Sequence, residues 1–134
     1  VLKALNEVQR QPQVGETIHD VISRGLDATE DNPVVFETTV TPQMTNQLGT
    51  LSNGVLTTLV SEASARLLRH LKKGNMVVES LNVYFIEPVQ MDSQLTVKPE
   101  LLDAGRLYAK INVEIFNGRK LVCKGMLMAQ LMDR

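Results

Sequence analysis

The clearest periodicity in the chain is a stripe of apolar residues, Leu56, Leu59, Val60, Ala63 and Leu67, recurring at three- and four-residue intervals. That spacing sets one apolar face of an α-helix. Ser52 and Asn53 stand ahead of it as N-cap types, Gly54 lets another backbone or a ligand come close, and Gly74 can close it, so a buried helix is expected over about Asn53–Lys73. A helix start presents unpaired N–H groups. Backed by the helix dipole, they can polarise a carbonyl or hold an anion.

The rest of the chain reads mostly with a period of two. Val34–Val40 is rich in β-formers and suits a first strand. Met76–Ile86 follows the helix and is bounded by Pro88; Leu95–Leu102 alternates, with Pro99 hinting at an edge or a bulge. The cleanest strand places Leu107, Ala109, Ile111, Val113 and Ile115 on one face, and Asn117-Gly118 then makes a type I′ hairpin signal into Lys120–Met132. In that last run Val122, Met126, Met128 and Met132 oppose Leu121, Leu127 and Leu131, so both faces carry apolar residues. One face should pack on the helix and the other on a partner or another domain. Thr17–Leu26 reads as a short helix or irregular lead-in, and Asp27–Pro33 as a polar turn. The order implies an α+β class, with a five-stranded, mainly antiparallel sheet wrapped around one long central helix.

Val1–Val8 has helical spacing with no start signal before it, and Pro12 interrupts the pattern within a Gln11–Gly15 linker. Residues 1–16 are therefore expected to be the end of a preceding domain or a linker, and residues 17–134 the domain proper. At 134 residues the chain can bury a core without disulfides. A net charge of −1 with both signs interspersed leaves no nucleic-acid footprint. The densest basic cluster, Arg69, His70, Lys72 and Lys73, falls at the helix end, where it can complement the dipole or hold a phosphate. Cys123 is alone and sits in a strand pattern, which points to a small core residue; His19 and His70 have no partners at metal-ligand spacing. With no signal peptide or spanning apolar run, a cytoplasmic protein is expected.

The stretch TNQLGTLSNGVLTTLVSEAS, from Thr45 to Ser64, resembles the hotdog-fold thioesterase superfamily. The family signature is an Asn, a Gly three residues on, then His-Gly-Gly, then a catalytic Asp or Glu nine residues after that His. Asn46 and Gly49 match; Ser52 stands in the His position, Asn53 and Gly54 in the two Gly positions, and Ser61 where the family carries its acid. The resemblance continues through Phe85, Pro88, Val89, Leu95, Gly105, Arg106 and the Gly118 hairpin, and so covers about Val34–Leu131, with Asp92 standing where the family often has Gly. The opening VLKALNEVQRQPQVGETIHD resembles the exit from a CBS domain, as in bacterial regulators that carry DRTGG and CBS domains ahead of a C-terminal hotdog.

The resemblance implies a site for a CoA thioester, as ligand or substrate, with no further cofactor and no metal. Its carbonyl would rest on the Asn53 amide, and Asn46 would steer it or a water. Neither group can activate water, and Ser61 cannot replace a carboxylate without a base beside it. Glu62 is the alternative acid, but at about 100° per residue it points away from Ser61 and could equally be held by Arg66. A Ser that some members carry early in the next strand falls at Val78. Arg106, Arg119 and Lys120, in or beside turns, are candidates for the CoA phosphates. The expected function is an acyl-CoA-binding, ligand-sensing regulatory module with weak or no hydrolase activity. Alternatives are an active acyl-CoA thioesterase and a purely structural dimerisation module. The family implies a homodimer or a dimer of dimers, with no membrane or direct nucleic-acid contact.

Overall fold

The computed structural model describes residues 17–132; the expectations for residues 1–16 lie outside the described residues. The Thr17–Leu26 lead-in is a helix, α1 (Ile18–Gly25). A capping box starts it: the Thr17 amide donates to Asp20 Oδ2 at 2.9 Å, and the Asp20 amide donates to Thr17 Oγ1 at 3.2 Å. The Thr17 amide that donates to it, and then the Thr17 hydroxyl beside it, hold the Asp20 carboxyl below its ordinary range.

The sheet has six strands rather than five: β1 (Asp27–Ala28), β2 (Phe36–Thr39), β3 (Met76–Phe85), β4 (Gln94–Ala104), β5 (Tyr108–Asn117) and β6 (Lys120–Leu131). Their spatial order is β1-β2-β4-β5-β6-β3, and every pairing is antiparallel. The extra strand lies inside the expected Asp27–Pro33 turn. There the Thr29 amide bonds the Val35 carbonyl and Asn32 Oδ1 accepts from the Val34 amide, so the chain doubles back and sets Asp27 and Ala28 opposite Glu37 and Phe36. A two-residue strand has no periodicity to read. Pro99 answers both parts of its expectation. It pairs with Val113 of β5, lies beyond Val97, the last β4 partner of β2, and stands just before the register shift between Leu101 and Asp103. Its missing N–H therefore costs no ladder bond on the β2 side.

The central helix, α2 (Asn53–His70), is capped by the Ser52 hydroxyl, which accepts from the Gly54 amide at 3.2 Å. It ends three residues before the expected Lys73. The chain turns left-handed first at Lys72, with φ +58°, and again at Gly74, with φ +92°, and the Lys73 amide reaches back to the Leu68 carbonyl.

The apolar stripe of α2 is buried throughout, with Leu59, Val60 and Ala63 fully inaccessible to solvent. It faces Ala109, Ile111, Val113 and Ile115 of β5, Leu95 and Val97 of β4, and Cys123, Leu127 and Ala129 of β6, all of them also inaccessible. Leu107 precedes the strand and is exposed instead. Val122, grouped by alternation with Met126 and Met128 on the face opposite Leu127, is instead buried with Leu127, because the register slips between Ile115 and Phe116 and leaves it as the extra residue of a bulge. The helix packs tightly over Gly125, where an added Cβ would lie 2.6 Å from Val60 Cγ1. Gly125→Ala is therefore expected to lower unfolding free energy by about 1–3 kcal/mol through overpacking. Urea titration of Gly125→Ala, Val60→Ala and the double variant should give a double-mutant cost below the sum of the singles, because Val60→Ala vacates that space. A neutral Gly125→Ala would show that the helix stands off the sheet.

Candidate functional site

The site begins in the loop that feeds α2. A 3₁₀ turn at Pro42–Met44 leads to a tight turn in which the Gly49 amide donates to the Asn46 carbonyl at 3.0 Å. Gly49 sits at φ +79°, which disfavours any residue with a Cβ. Asn46 holds the turn from within: Oδ1 accepts from the Leu48 and Thr50 amides at 2.9 and 3.2 Å, and Nδ2 donates to Thr50 Oγ1 at 2.9 Å. The loop is pinned to the connection after β3, where the Leu51 amide donates to the Val89 carbonyl at 2.7 Å, and to the 3₁₀ turn, where the Ser52 amide donates to Met44.

Among the first amides of α2, Gly54 is taken by Ser52 Oγ, and Val55 and Leu56 by the Ser52 carbonyl. Among the described residues no acceptor takes the Asn53 amide, which stands at the positive end of an 18-residue helix. Beside it lies a cavity of about 210 Å³, lined by Asn46, Thr50, Asn53 and Leu56 on one side and by Phe85, Ile86, Glu87, Pro88 and Val89 on the other. It can seat a carbonyl oxygen on the Asn53 amide with amide and hydroxyl side chains alongside.

The structure divides the residues that the sequence groups together. Asn46 and Asn53 meet in this cavity. Ser52 and Gly54 line a second one, about 390 Å³, on the opposite flank of the helix start, against Ile18 and Ile22 of α1. Gly49 lines neither and shapes the turn. Ser61 is half-buried two turns further along α2 and also lines neither.

Glu62 faces α1, away from the Asn46–Asn53 cavity. Its Oε1 accepts from Arg66 Nε and from Ser23 Oγ, both at 3.1 Å, and its Oε2 lies 3.9 Å from His19 Nε2. The Arg66 guanidinium donates to the Ser23 and Leu26 carbonyls at the end of α1 and sits 5.6 Å over the Phe36 ring. The pair is a clasp between two helices and β2.

The basic candidates separate as well. Lys120 Nζ lies 3.6 Å from the carboxylate of Glu87, which puts Lys120 beside the cavity, with Arg119 next to it in the β5–β6 turn. Arg106 precedes β5 and so lies at the other end of the sheet, about 30 Å away along that strand. One phosphate cannot meet all three within one copy. Val78 is exposed on β3, the outermost strand next to β6.

The profile of the Thioesterase superfamily matches residues 48–124, from the turn before α2 into the last strand. The chain belongs to the thioesterase superfamily. Its curved antiparallel sheet around one long helix is the hotdog fold. It is 51% identical over 138 residues to the uncharacterized protein YtoI of Bacillus subtilis (strain 168), covering 100% of this chain and 31% of that protein. The chain thus spans about a third of that relative's length. Acyl-coenzyme A thioesterase 13 of Mus musculus is 28% identical over 69% of this chain and 68% of its own length. Among solved structures, a hypothetical thioesterase from Streptococcus pneumoniae TIGR4, determined with coenzyme A, aligns with a TM-score of 0.72 at 25% identity over 75% of this chain and 81% of that one. Zebra fish thioesterase superfamily member 2 aligns with a TM-score of 0.76 at 22% identity over 98% of this chain and 96% of that one, a likeness of fold. No helix among the described residues is long and apolar enough to cross a membrane.

Sequence reasoning missed Thr50, Phe85 and Glu87 as members of the cavity. Phe85, Pro88 and Val89 had marked the family resemblance, and Glu87 sits between them, so a signal was present. What was absent was any local sign that the β3–β4 connection folds over the helix start.

Two outcomes follow from these contacts. Glu62→Gln should lower stability by about 1.5–3 kcal/mol, the usual worth of hydrogen bonds to a charged group, in urea unfolding; a change no larger than that of an exposed Glu→Gln control would disprove the clasp. Burial pushes the Cys123 thiol up to about 11, so at pH 8 it should resist a thiol reagent in the native protein and react once urea unfolds it. Rapid labelling of native protein would place Cys123 outside the core.

Proposed function

We propose that this domain binds a CoA thioester at the start of α2 and turns it over far more slowly than relatives that carry an acid on this helix. The observation that carries the reading is the division of labour on α2. Among the described residues its leading amide, at Asn53, has no protein acceptor, and Asn53 lines a cavity with Asn46, whereas its one carboxylate, Glu62, is committed to Arg66 and Ser23 on another face. Binding needs donors and space. Turnover needs a positioned base, and Ser61 cannot serve as one.

Loss of the acid with retention of the binding frame suits a ligand-sensing module of a larger regulatory protein. Support comes from the 51%-identical relative, of which this chain matches 31%, and from the resemblance of the first twenty or so residues to the exit from a CBS domain in DRTGG/CBS regulators. The coenzyme A held by the Streptococcus pneumoniae neighbour supports the ligand class. We further propose a homodimer or a dimer of dimers. The sheet ends on β3, whose Val77, Val78, Tyr84 and Phe85 are exposed, and Phe85 also lines the cavity, so pairing at this edge would bring a second copy to the site.

A CoA thioester that binds only the native state must raise the thermal midpoint, by about 2.7 kcal/mol of added stability at a hundredfold excess over Kd. No shift with short, medium or aromatic acyl-CoAs would leave only a structural role. Ser61→Asp restores the family pattern; because Ser61 lines neither cavity of its own copy, the added carboxylate is expected to raise hydrolysis in the assembled dimer, by reaching the cavity of a second copy. Efficient hydrolysis by the unmodified domain, lost on Glu62→Gln and kept in Ser61→Ala, would instead establish an active thioesterase with its acid at Glu62. Sedimentation at micromolar concentration should give at least a dimer; a monomer alone would refute the assembly.

A further inference from the structure

Among the described residues one ionisable residue lines the helix-start cavity, and it is not on the helix. Asn46, Thr50 and Asn53 are neutral, and the β3–β4 connection contributes Glu87. Its backbone is held in place: the Ile86 and Glu87 amides both donate to the Val122 carbonyl, at 2.9 and 3.2 Å, and Pro88 restricts the backbone of Glu87 just before it. Its carboxylate lies 3.6 Å from Lys120 Nζ and the side chain is 41% exposed, so it is oriented yet open to water. Glu62, by contrast, is occupied by the clasp with α1.

We propose that Glu87 is the general base of this cavity, activating water against a CoA thioester whose carbonyl oxygen rests on the Asn53 amide. The inference deepens the function proposed above and rests on its reading of the cavity. Glu87 takes a proton from water as the water oxygen bonds to the thioester carbonyl carbon. The carbonyl π pair moves onto oxygen, where the Asn53 N–H and the helix dipole stabilise it. Collapse re-forms the C=O bond and breaks the C–S bond, and Glu87 returns its proton to the departing sulfur. The products are a carboxylic acid and the CoA thiol, with Glu87 again a carboxylate. Lys120 acts as a positioning residue. A base on an exposed connection, shared with a lysine, is less confined than one on a buried helix, which accords with slow turnover.

The test follows hexanoyl-CoA hydrolysis and the thermal shift given by the same compound, using the full chain. Slow hydrolysis by the unmodified protein should fall about 10²-fold in Glu87→Gln with the thermal shift retained, recover in part in Glu87→Asp, and stay unchanged in the exposed control Glu100→Gln. Added formate should restore turnover to Glu87→Ala, which a structural role for Glu87 would not allow. Absence of hydrolysis by the unmodified protein, or a Glu87→Gln rate within about threefold of it, would overturn the proposal. So would loss of both hydrolysis and thermal shift in Glu87→Gln, which would make Glu87 a binding group. Loss of the thermal shift in the unmodified protein would defeat the binding function itself, so the two failures are told apart.

Discussion

Burial of one face of α2 in the hollow of the sheet is the constraint from which the other features follow. Leu59, Val60, Ala63 and Leu68 are fully enclosed, and a buried side chain of Leu or Val size contributes roughly 1.5–3 kcal/mol relative to exposure. The sheet comes this close because Gly125 leaves room for Val60 in the middle of β6. With the helix seated, its first turn projects at the rim of the sheet, where the 45–52 loop and the β3–β4 connection must cross. The Leu51–Val89 backbone bond joins the two crossings. The cavity is the space between them.

The same seating decides what each remaining face of α2 can do. The face carrying Glu62 and Arg66 meets α1, and there the two charges cap the α1 carbonyls, bond Ser23 and lean on Phe36. These are partly buried, charge-assisted bonds, which persist because each polar group has a partner. Asn53 turns the other way, toward Phe85 and Glu87. The Glu62 and Arg66 charges of the helix thus hold the fold, and the carboxylate at the helix-start cavity comes from a connection distant in sequence.

Much of the fold was legible in the sequence because it rests on periodicity and local chemistry. The stripe from Leu56 to Leu67, the alternation from Ala109 to Ile115, the Asn117-Gly118 hairpin and the Ser52 cap each need only a few neighbouring residues to specify them. The Glu62–Arg66 pair is of the same kind, since a four-residue spacing brings both onto one helix flank. Illegible features arise where a distant segment supplies the partner or where a slip in register breaks the alternation. β1 is two residues long and exists through the Asn32 turn; Val122 is buried through a bulge; Lys72 ends the helix early by a left-handed turn no sequence pattern announces.

The candidate site divides along the same line. Sequence by itself determined that a capped helix start follows an Asn-x-x-Gly turn, and that Ser61 stands where the family resemblance would place an acid, because these are properties of one continuous segment. Only the tertiary structure decided that Asn46 and Asn53 share a cavity while Ser52 and Gly54 open on another, that Glu62 belongs to the clasp with α1, and that Glu87 and Lys120 stand at the cavity in place of Arg106. Helix phase and strand register set those directions, and both are settled by how whole elements pack rather than by the residues that end up in contact.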